Sequence, residues 1–244
     1  MENKYSTDYV ILPGVCDSSG ALGIPDTFTI FMDLAAIHAE HLRVDTPRLL
    51  HRNLFWLAVR TRVRVLRRPK KAESVTLTTW PEKPGRLRAD RSYVIEQNGE
   101  RVVTGKTEWT VLETDTNRLH PVARIFPEGF AFLPDTVWPE PFTRMKEEPL
   151  EEYARYTVRS TDIDIGRHMN NAAYLRALAG TFSTERWQGM DIRELEIAYR
   201  APCYEGDTLI WQKREEGDTL TLRAALPEGK TIAQVRIVRG AVSE

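Results

Sequence analysis

The predicted order of secondary-structure elements occurs twice along the 244 residues, and this duplication limits the possible folds more than any other feature. Each half starts with a short strand and a polar turn, continues with one long apolar helix and ends in four strands. In the first half the strand is predicted at residues 9–12, the helix at 28–42 and the four strands at 53–66, 75–80, 86–97 and 102–113. In the second half the strand is predicted at 153–159, the helix at 172–187 and the four strands at 192–199, 208–214, 219–226 and 231–238. A repeat this long indicates a duplicated module rather than a solenoid.

Local similarities between the halves support the duplication. Arg67-Arg68-Pro69 precedes an apolar strand in the first half, as Arg200-Ala201-Pro202 does in the second. Asp17 occupies the place of Asp162 or Asp164. We therefore expect the two halves to share one topology.

Each predicted helix is apolar over much of its circumference, so an antiparallel sheet must wrap around it rather than touch one side. Two such modules with continuous sheets would hide edge strands that a single module exposes. The sequence therefore predicts an α+β fold, a tandem double hot dog. We expect a first module at residues 1–114, a connector at 115–150 and a second module at 151–244.

The connector is rich in proline and aromatic residues. Its six prolines leave room only for a short helix near residues 122–126. Four aromatic residues would be costly to expose, and we expect them to pack against the body of the protein. They are Phe130, Phe132, Trp138 and Phe142.

Composition excludes several classes of protein. Hydrophobic residues make up 41% and charged residues 28% of the chain, and the formal net charge is −1, which argues against a general polyanion binder. Two cysteines are too few for a disulfide framework and suit a reducing compartment. With no apolar run long enough to cross a bilayer and no secretory signal, we expect a soluble cytoplasmic protein without membrane insertion.

The most informative polar cluster lies in the turn before the second helix. This turn contains Asp164, His168, Asn170 and Asn171. The first N–H groups of a helix are unpaired and point outward, so an ester or thioester carbonyl placed there would meet hydrogen-bond donors. The simpler interpretation is that the Asn residues cap the helix and the Asp residues form Asx turns. Capping accounts for one or two of these residues but not for His168 and Asp164 as well.

Two stretches resemble the acyl-ACP thioesterase family. Residues 53–60, Asn-Leu-Phe-Trp-Leu-Ala-Val-Arg, are similar to the family's Asn-Leu-x-Trp-Val run. Residues 162–174 resemble its Asp-x-Asp-x-Asn-x-His-x-Asn-Asn-x-x-Tyr signature. The resemblance in element order covers essentially the whole chain. It implies a double hot dog that hydrolyses the thioester between a fatty acyl chain and the phosphopantetheine arm of acyl carrier protein (ACP).

The resemblance also assigns roles to individual residues. Asp164 falls on the signature aspartate, His168 on the catalytic histidine, and Cys203 on a cysteine that some members place near the site. Gly166 stands where the family usually has a catalytic Asn, and Pro202 stands where a Glu often precedes the cysteine. At Gly166 the chain therefore lacks the side-chain amide of the family, and at Pro202 it lacks one candidate general base.

Thioester hydrolysis needs a polarised carbonyl, a nucleophile and a proton for the thiolate. His168 is the candidate base for a water molecule, because histidine is the side chain that most readily exchanges a proton near neutral pH. Asp164 would orient His168 or attack directly. Cys203 is either a third participant or a small buried apolar residue. Gly166, Asn170 and Asn171 are expected on the substrate side.

No metal or other cofactor is predicted. His168 has no second His or Cys at ligand spacing, and no glycine-rich phosphate loop occurs. By the resemblance, the acyl chain lies between the first helix, with Phe31, Leu34 and Ile37, and its sheet. The resemblance thus implies that the module at 1–114 binds the acyl chain and that the module at 151–244 is catalytic.

A strand with alternating arginines, Arg60, Arg62 and Arg64, has two interpretations. It is a solvated face balanced by nearby acids, or a docking patch for acidic ACP. Nucleic acid is not expected, because no aromatic residues are interleaved with these cations.

Three other functions stay as alternatives: an acyl-CoA thioesterase, a non-catalytic acyl-thioester sensor on the same fold, and a hydratase. Oligomeric state is not readable from the sequence, and a homodimer is compatible with it.

Overall fold

A computed structural model describes residues 3–240, and within them eleven strands form one antiparallel sheet. The strands of the first half are β1 Tyr5–Val10, β2 Leu54–Val65, β3 Ser74–Pro81, β4 Ala89–Gln97, β5 Glu100–Glu113 and the two-residue β6 Leu119–His120. Those of the second half are β7 Glu151–Thr157, β8 Ile192–Tyr199, β9 Thr208–Glu216, β10 Thr219–Ala225 and β11 Thr231–Arg239. The helices are α1 Ile24–His41, α2 Thr46–Leu50, α3 Asn171–Ala179 and α4 Thr184–Gln188. Short 3-10 helices lie at Pro13–Val15, Val122–Arg124 and Ser160–Asp162.

The strand order repeats between the halves. The first half is arranged β1-β3-β4-β5-β2 and the second β7-β9-β10-β11-β8, with β6 added beside β5. β2 pairs with β8 from Arg60 opposite Ala198 to Arg64 opposite Glu194, which makes the two sheets continuous. The predicted α+β fold, with one sheet shared by two modules, is confirmed.

The two long helices lie on the same side of this sheet and pack against each other. Arg176 of α3 donates to Thr29 of α1 at 3.1 Å. On the sheet side, the ring of Phe31 stacks on Tyr93 with centroids 4.6 Å apart. A Cβ at Gly105 would lie 2.2 Å from the Phe31 ring, so only glycine lets α1 approach the sheet this closely.

The predicted helix at 172–187 is wrong as a single element. α3 ends at Ala179 with Gly180 as its C-cap, and α4 starts again after Ser183, whose side chain accepts from the N–H of Arg186 at 3.2 Å. A glycine followed by a good N-cap residue stops one helix and starts another, and apolar spacing alone does not register this. Several strand ends also differ: β1 begins earlier and ends earlier than predicted, β7 is shifted towards its N-terminus and β4 begins three residues later. The short elements α2 and β6 were not predicted.

β2 does not keep the strict alternation that its sequence predicts. A bulge lies between Ala58 and Arg60 in the pairing with β5. A bulge inserts one residue and moves the following side chains to the other face. Thr61, Val63 and Val65 are therefore buried, whereas Leu57 and Val59, predicted on the same face, are only half-buried.

The connector packs its aromatic residues against the body, as predicted. Phe130 and Phe132 form a cluster with Phe126, whose ring also contacts Trp56. Trp138 is buried. Phe142 lies under the guanidinium of Arg62, 4.8 Å from ring centroid to Cζ.

The predicted cationic face of β2 lies beneath this connector. Arg62 is buried, stacks over Trp138 at 3.9 Å and donates to the backbone oxygens of Pro141 and Glu140. Arg64 pairs with Glu194 at 2.9 Å. The face is not a free docking patch, because the connector covers Arg62. The partly exposed Arg60 and Arg64 are balanced by Glu108 and Glu194, as the first interpretation expected.

Candidate active site

The polar turn before α3 is held by a closed set of backbone hydrogen bonds. Ile163 and Met169 form an isolated antiparallel bridge. The N–H of Asp164 donates to the oxygen of His168 at 3.1 Å, and the N–H of Arg167 donates to the oxygen of Asp164 at 2.9 Å. Arg167 has φ of 60°, in the left-handed region that reverses the chain. The loop is therefore a tight hairpin that presents Asp164 and His168 from its two arms.

Gly166 is the point at which these two side chains meet. A Cβ built on Gly166 would lie 2.9 Å from His168 Nε2 and 3.0 Å from Asp164 Oδ1. The two atoms are thus no further apart than the sum of those distances. An Asn at this position, as in the family signature, would collide with both groups in their present places. Because Gly166 has no side chain, an open space remains that the imidazole and the carboxylate both border.

The hydrogen bonds of the imidazole indicate how it is oriented. His168 Nδ1 lies 3.4 Å from the backbone oxygen of Met169, which requires the proton on Nδ1 for any hydrogen bond. Nε2, the nitrogen over Gly166, then carries the lone pair. The ring of Phe55 stands edge-on to His168 with centroids 6.5 Å apart. This places the nitrogen that can act as a base on the side of the turn shared with Asp164.

Both oxygens of Asp164 accept hydrogen bonds. Oδ1 receives the N–H of Gly166 at 2.8 Å, and Oδ2 receives the side-chain amide of Asn170 at 3.4 Å. Asn170 also N-caps α3, because its Oδ1 accepts from the N–H of Ala172 at 2.8 Å. A single amide therefore links the start of the helix to the carboxylate, and Asp164 is fixed in orientation.

Asn171 differs from its neighbour in having an amide that forms no hydrogen bond within residues 3–240. Its backbone oxygen accepts from the hydroxyl of Tyr199 at 3.1 Å, but the side chain is half-buried and uncommitted. An uncommitted amide at a helix start is a suitable donor for a carbonyl oxygen.

The structure does not bring Cys203 to this pair. Its side chain is fully buried, and within the described residues its hydrogen bonds go to Tyr174 at 3.3 Å and to the sulfur of Met169 at 3.5 Å. Burial raises the pKa of the Cys203 thiol, and burial also raises the pKa of Tyr174. These surroundings favour a neutral packed thiol over a thiolate. The backbone of Cys203 does serve the turn, because its oxygen accepts from the N–H of Met169 at 2.9 Å.

A cavity of about 430 Å³ opens beside the turn. Ile165, which follows Asp164 and is 88% exposed, forms part of its lining. The walls are apolar and aromatic side chains of α1, the connector and the first half of the sheet. They include Met32, Ala35, Ile37, Ala39, Trp56, Trp109 and Phe126. A mainly apolar cleft with few polar groups is the usual form of a site for an apolar ligand.

One of the three α1 residues that the sequence predicted beside an acyl chain lines this cavity. Ile37 lines the cavity, whereas Phe31 and Leu34 are buried in the main core and do not line it. Arg91 of β4 adds a polar group to the lining, and its guanidinium contacts His38 Nδ1 at 3.1 Å and Thr79 at 3.4 Å. Burial lowers the pKa of Arg91. Only pairing across the sheet, which the sequence did not reveal, brings Trp56, Trp109 and Arg91 together.

The corresponding turn of the first half has the same backbone hydrogen bonds but no histidine. Cys16 and Leu22 form the matching bridge, and the N–H of Asp17 donates to the oxygen of Ala21 at 2.9 Å. Asp17 Oδ1 accepts from the N–H of Ser19 at 2.9 Å, as Asp164 does from Gly166. Asp17 thus corresponds to Asp164. Ala21 takes the place of His168, so one function of the aspartate is to hold the turn.

The described residues contain neither a membrane-spanning helix nor a cluster of metal ligands. No helix within residues 3–240 is both long and apolar enough to span a membrane. No group of three or more His, Cys, Asp or Glu side chains in that range is arranged to hold a metal ion.

The fold and the site define a class: a double hot dog with a polar turn over an apolar cavity. Two family models match most of the chain, the acyl-ACP thioesterase N-terminal domain at residues 2–129 and the acyl-ACP thioesterase C-terminal domain at residues 145–238. The chain belongs to the acyl-ACP thioesterase family.

Individual relatives and structures agree with this membership. The chain is 27% identical over 227 residues to oleoyl-acyl carrier protein thioesterase 1, chloroplastic, of Arabidopsis thaliana, covering 84% of this chain and 62% of the relative. It thus spans about three-fifths of that relative's length. An acyl-ACP thioesterase structure from Bacteroides thetaiotaomicron superposes with a TM-score of 0.88 at 22% identity over 98% of both chains. The 12:0-ACP thioesterase of Umbellularia californica gives 0.78 at 16% identity, over 98% of this chain and 97% of that one. At these identities the superpositions establish the fold.

Proposed function

We propose that this protein hydrolyses fatty acyl-ACP thioesters to free fatty acid and ACP. The observation that carries the proposal is the meeting of Asp164 and His168 over Gly166, next to Ile165 at the lining of an apolar cavity. Family membership supports the same reaction class. An acyl chain has a place to lie, and its thioester end has a base and a carboxylate beside it.

In the proposed reaction His168 Nε2 takes a proton from a water molecule, and the water oxygen attacks the thioester carbon. The carbonyl oxygen gains negative charge, which the backbone N–H of Asn171 at the start of α3 and the uncommitted side-chain amide of Asn171 would stabilise. The imidazolium then gives its proton to the departing thiolate, so His168 serves as base and then as acid. Gly166 leaves the room in which the carbonyl and the water approach.

Asp164 acts in this scheme as an orienting group. Its oxygens are occupied by Gly166 and Asn170, which favours a fixed carboxylate over an attacking one. Direct attack by Asp164 is the alternative, and it would pass through an acyl-enzyme anhydride. We assign Cys203 a packing role, because its thiol is fully buried against Tyr174 and Met169.

The position of the cavity supports different roles for the two halves. We propose that residues 1–114 bind the acyl chain, that residues 151–244 carry the chemistry, and that the connector at 115–150 closes one wall. Trp56 and Trp109 of the first half line the cavity together with Phe126 of the connector. The size of the cavity, rather than the catalytic turn, would then limit the length of the chain.

A turnover assay over acyl-ACPs of different chain lengths tests the proposal. We expect wild-type hydrolysis, a loss of roughly 10²- to 10⁴-fold in His168→Ala and a similar loss in Asp164→Ala. Cys203→Ala should keep most of its activity. The same acyl chains on coenzyme A distinguish a carrier-protein enzyme from an acyl-CoA thioesterase.

A non-catalytic sensor is the second candidate, because Gly166 and Pro202 stand where the family signature has polar residues. Binding of acyl-ACP by the wild-type protein without any turnover would establish the sensor and reject the enzyme.

A further inference from the structure

The docking surface for the carrier protein is not the arginine face of β2. Arg60 and Arg62 donate to connector oxygens, and Arg64 pairs with Glu194. A partner would have to remove residues 138–143 to reach these cations. The cations that remain free must therefore be sought elsewhere.

Three exposed arginines lie close in sequence to residues of the cavity or of the polar turn. Arg43, Arg52 and Arg167 form no side-chain hydrogen bond or ion pair within residues 3–240. Their positions follow from neighbours already placed. Arg43 precedes Val44, a lining residue, and Arg167 follows Ile165 by two positions. Arg52 lies three residues before Phe55, whose ring faces His168, and three residues of chain span at most about 11 Å.

Two of the three acids that line the cavity are paired with other cations. Asp45 is nearly buried and is bound by Arg48, and Asp90 pairs with Lys106 at 3.4 Å. Glu40 is the exposed acid among the lining residues. Two apolar side chains of the cavity lining, Ile37 and Ile165, are exposed. A cationic rim around exposed aliphatic side chains suits a partner that is acidic and carries an acyl chain.

We propose that this rim, composed of Arg43, Arg52 and Arg167 around Ile37 and Ile165, docks the acidic acyl carrier protein. The inference rests on the proposed function and names the surface at which the partner binds. Geometry selects this surface: the thioester must reach His168, so the carrier must sit where the cavity opens. A second group of cations, Arg144, Lys146 and Arg236, lines a groove on the outer face of the second half's sheet. That groove opens on the opposite side of the sheet from the helices.

The test compares two substrates that share one acyl chain: acyl-ACP and acyl-pantetheine, which lacks the carrier protein. The variant is Arg43→Asn with Arg52→Glu. Asn suits the left-handed backbone of residue 43, whose φ is 58°. We expect KM for acyl-ACP to rise roughly tenfold or more with kcat unchanged, because steering of an acidic partner is lost. Hydrolysis of acyl-pantetheine should not change. The wild-type kcat/KM on acyl-ACP should fall with added salt, and that of the variant should fall much less.

Arg144→Asn with Lys230→Glu is the matched control, because it makes the same change in net charge at exposed sites away from the mouth. It should behave as wild type on both substrates. An unchanged KM for acyl-ACP in the rim variant would overturn the proposal, and so would an equal loss on both substrates or an equal effect of the control. Failure of the wild-type protein to hydrolyse either substrate would instead reject the proposed function.

Discussion

At the scale of single residues, the departure from the family signature at Gly166 has a physical consequence. The space that a side chain would fill is bounded by His168 Nε2 and Asp164 Oδ1. The two groups therefore border one open space, with no amide between them. Gly166 is thus part of the geometry of the pair rather than a sign of a lost site.

Gly166→Ala tests this reading. A methyl group 2.9 Å from Nε2 must displace the imidazole, so we expect kcat to fall by at least roughly tenfold, in line with the cost of misplaced catalytic groups. The melting temperature should change little. Gly14→Ala is the control, because a Cβ there meets no atom within 4 Å. Equal kcat in Gly166→Ala and wild type would show that the pair does not depend on the glycine.

The buried state of Cys203 predicts low reactivity. Because burial raises the pKa of its thiol, the thiolate is scarce at neutral pH. We expect iodoacetamide to modify Cys16, which is partly exposed, well before Cys203, with activity retained. Peptide mass spectrometry of the labelled native protein measures both. Rapid labelling of Cys203 with loss of turnover would instead indicate that Cys203 takes part in catalysis.

Asp164 and His168 could be found from the sequence because a spaced motif is local. Their spatial relation could not, because it depends on the left-handed conformation of Arg167 and on the Ile163–Met169 bridge. The cavity side of the site was harder still. Trp109 and Arg91 come from strands that are distant in sequence from the turn, and no local pattern marks them as neighbours of Ile165.

At the scale of elements, the connector is a structural cover over β2. Arg62 is held between Trp138 and the backbone oxygens of Glu140 and Pro141. Burial lowers the pKa of Arg62, and Glu196 is the charge that opposes this shift most. Arg62 is thus the buried cation beneath the cover, whereas Arg64, which also stacks on Trp138 at 4.3 Å, is partly exposed.

Arg62→Met should destabilise the fold by about 3 kcal/mol, because a buried charge network loses one partner. Arg64→Met is the control. Its side chain is partly exposed, and a pair of that kind contributes at most about 1 kcal/mol. Urea unfolding measures both, and limited proteolysis should cut residues 115–150 faster in the Arg62 variant. If both substitutions lowered the free energy of unfolding equally, Arg62 would not be the residue that holds the connector over β2.

Elements with regular spacing were predictable, and their interruptions were not. Strand β8 matches its predicted bounds, because Leu195, Ile197 and Tyr199 recur at every second residue. In β2 the bulge after Ala58 reverses the faces, and periodicity on either side of it gives no warning. Gly180 and Ser183 could have indicated the end of α3, since both have recognised capping preferences.

At the scale of the whole molecule, two copies of one architecture have diverged in use. Both halves keep the turn, the helix and the strand order. The second half has His168 where the first has Ala21, and the large cavity lies on the side of the first half. The halves depend on each other, because the turn of one lies at the cavity of the other. The order of elements in the sequence revealed the duplication. The placement of one half's turn at the other half's cavity depends on the pairing of strands, which the sequence did not reveal.

A matched pair of helix substitutions tests where the free space lies. Ala35→Leu on α1 enters the cavity, so it should cost little stability and shift turnover towards shorter acyl chains. Ala177→Leu on α3 enters a filled core and should destabilise by about 1–3 kcal/mol. Thermal unfolding and a chain-length series of acyl-ACPs provide the readouts. An unchanged chain-length profile in Ala35→Leu would place the acyl chain elsewhere.

The most direct measurement is a crystal structure with an acyl-pantetheine analogue in which an amide replaces the thioester. The account predicts the amide carbon beside His168 Nε2 and Asp164, and the alkyl chain between Met32 of α1 and Trp109 of β5. An amide bound away from the Gly166 turn, or an alkyl chain outside this cavity, would contradict it.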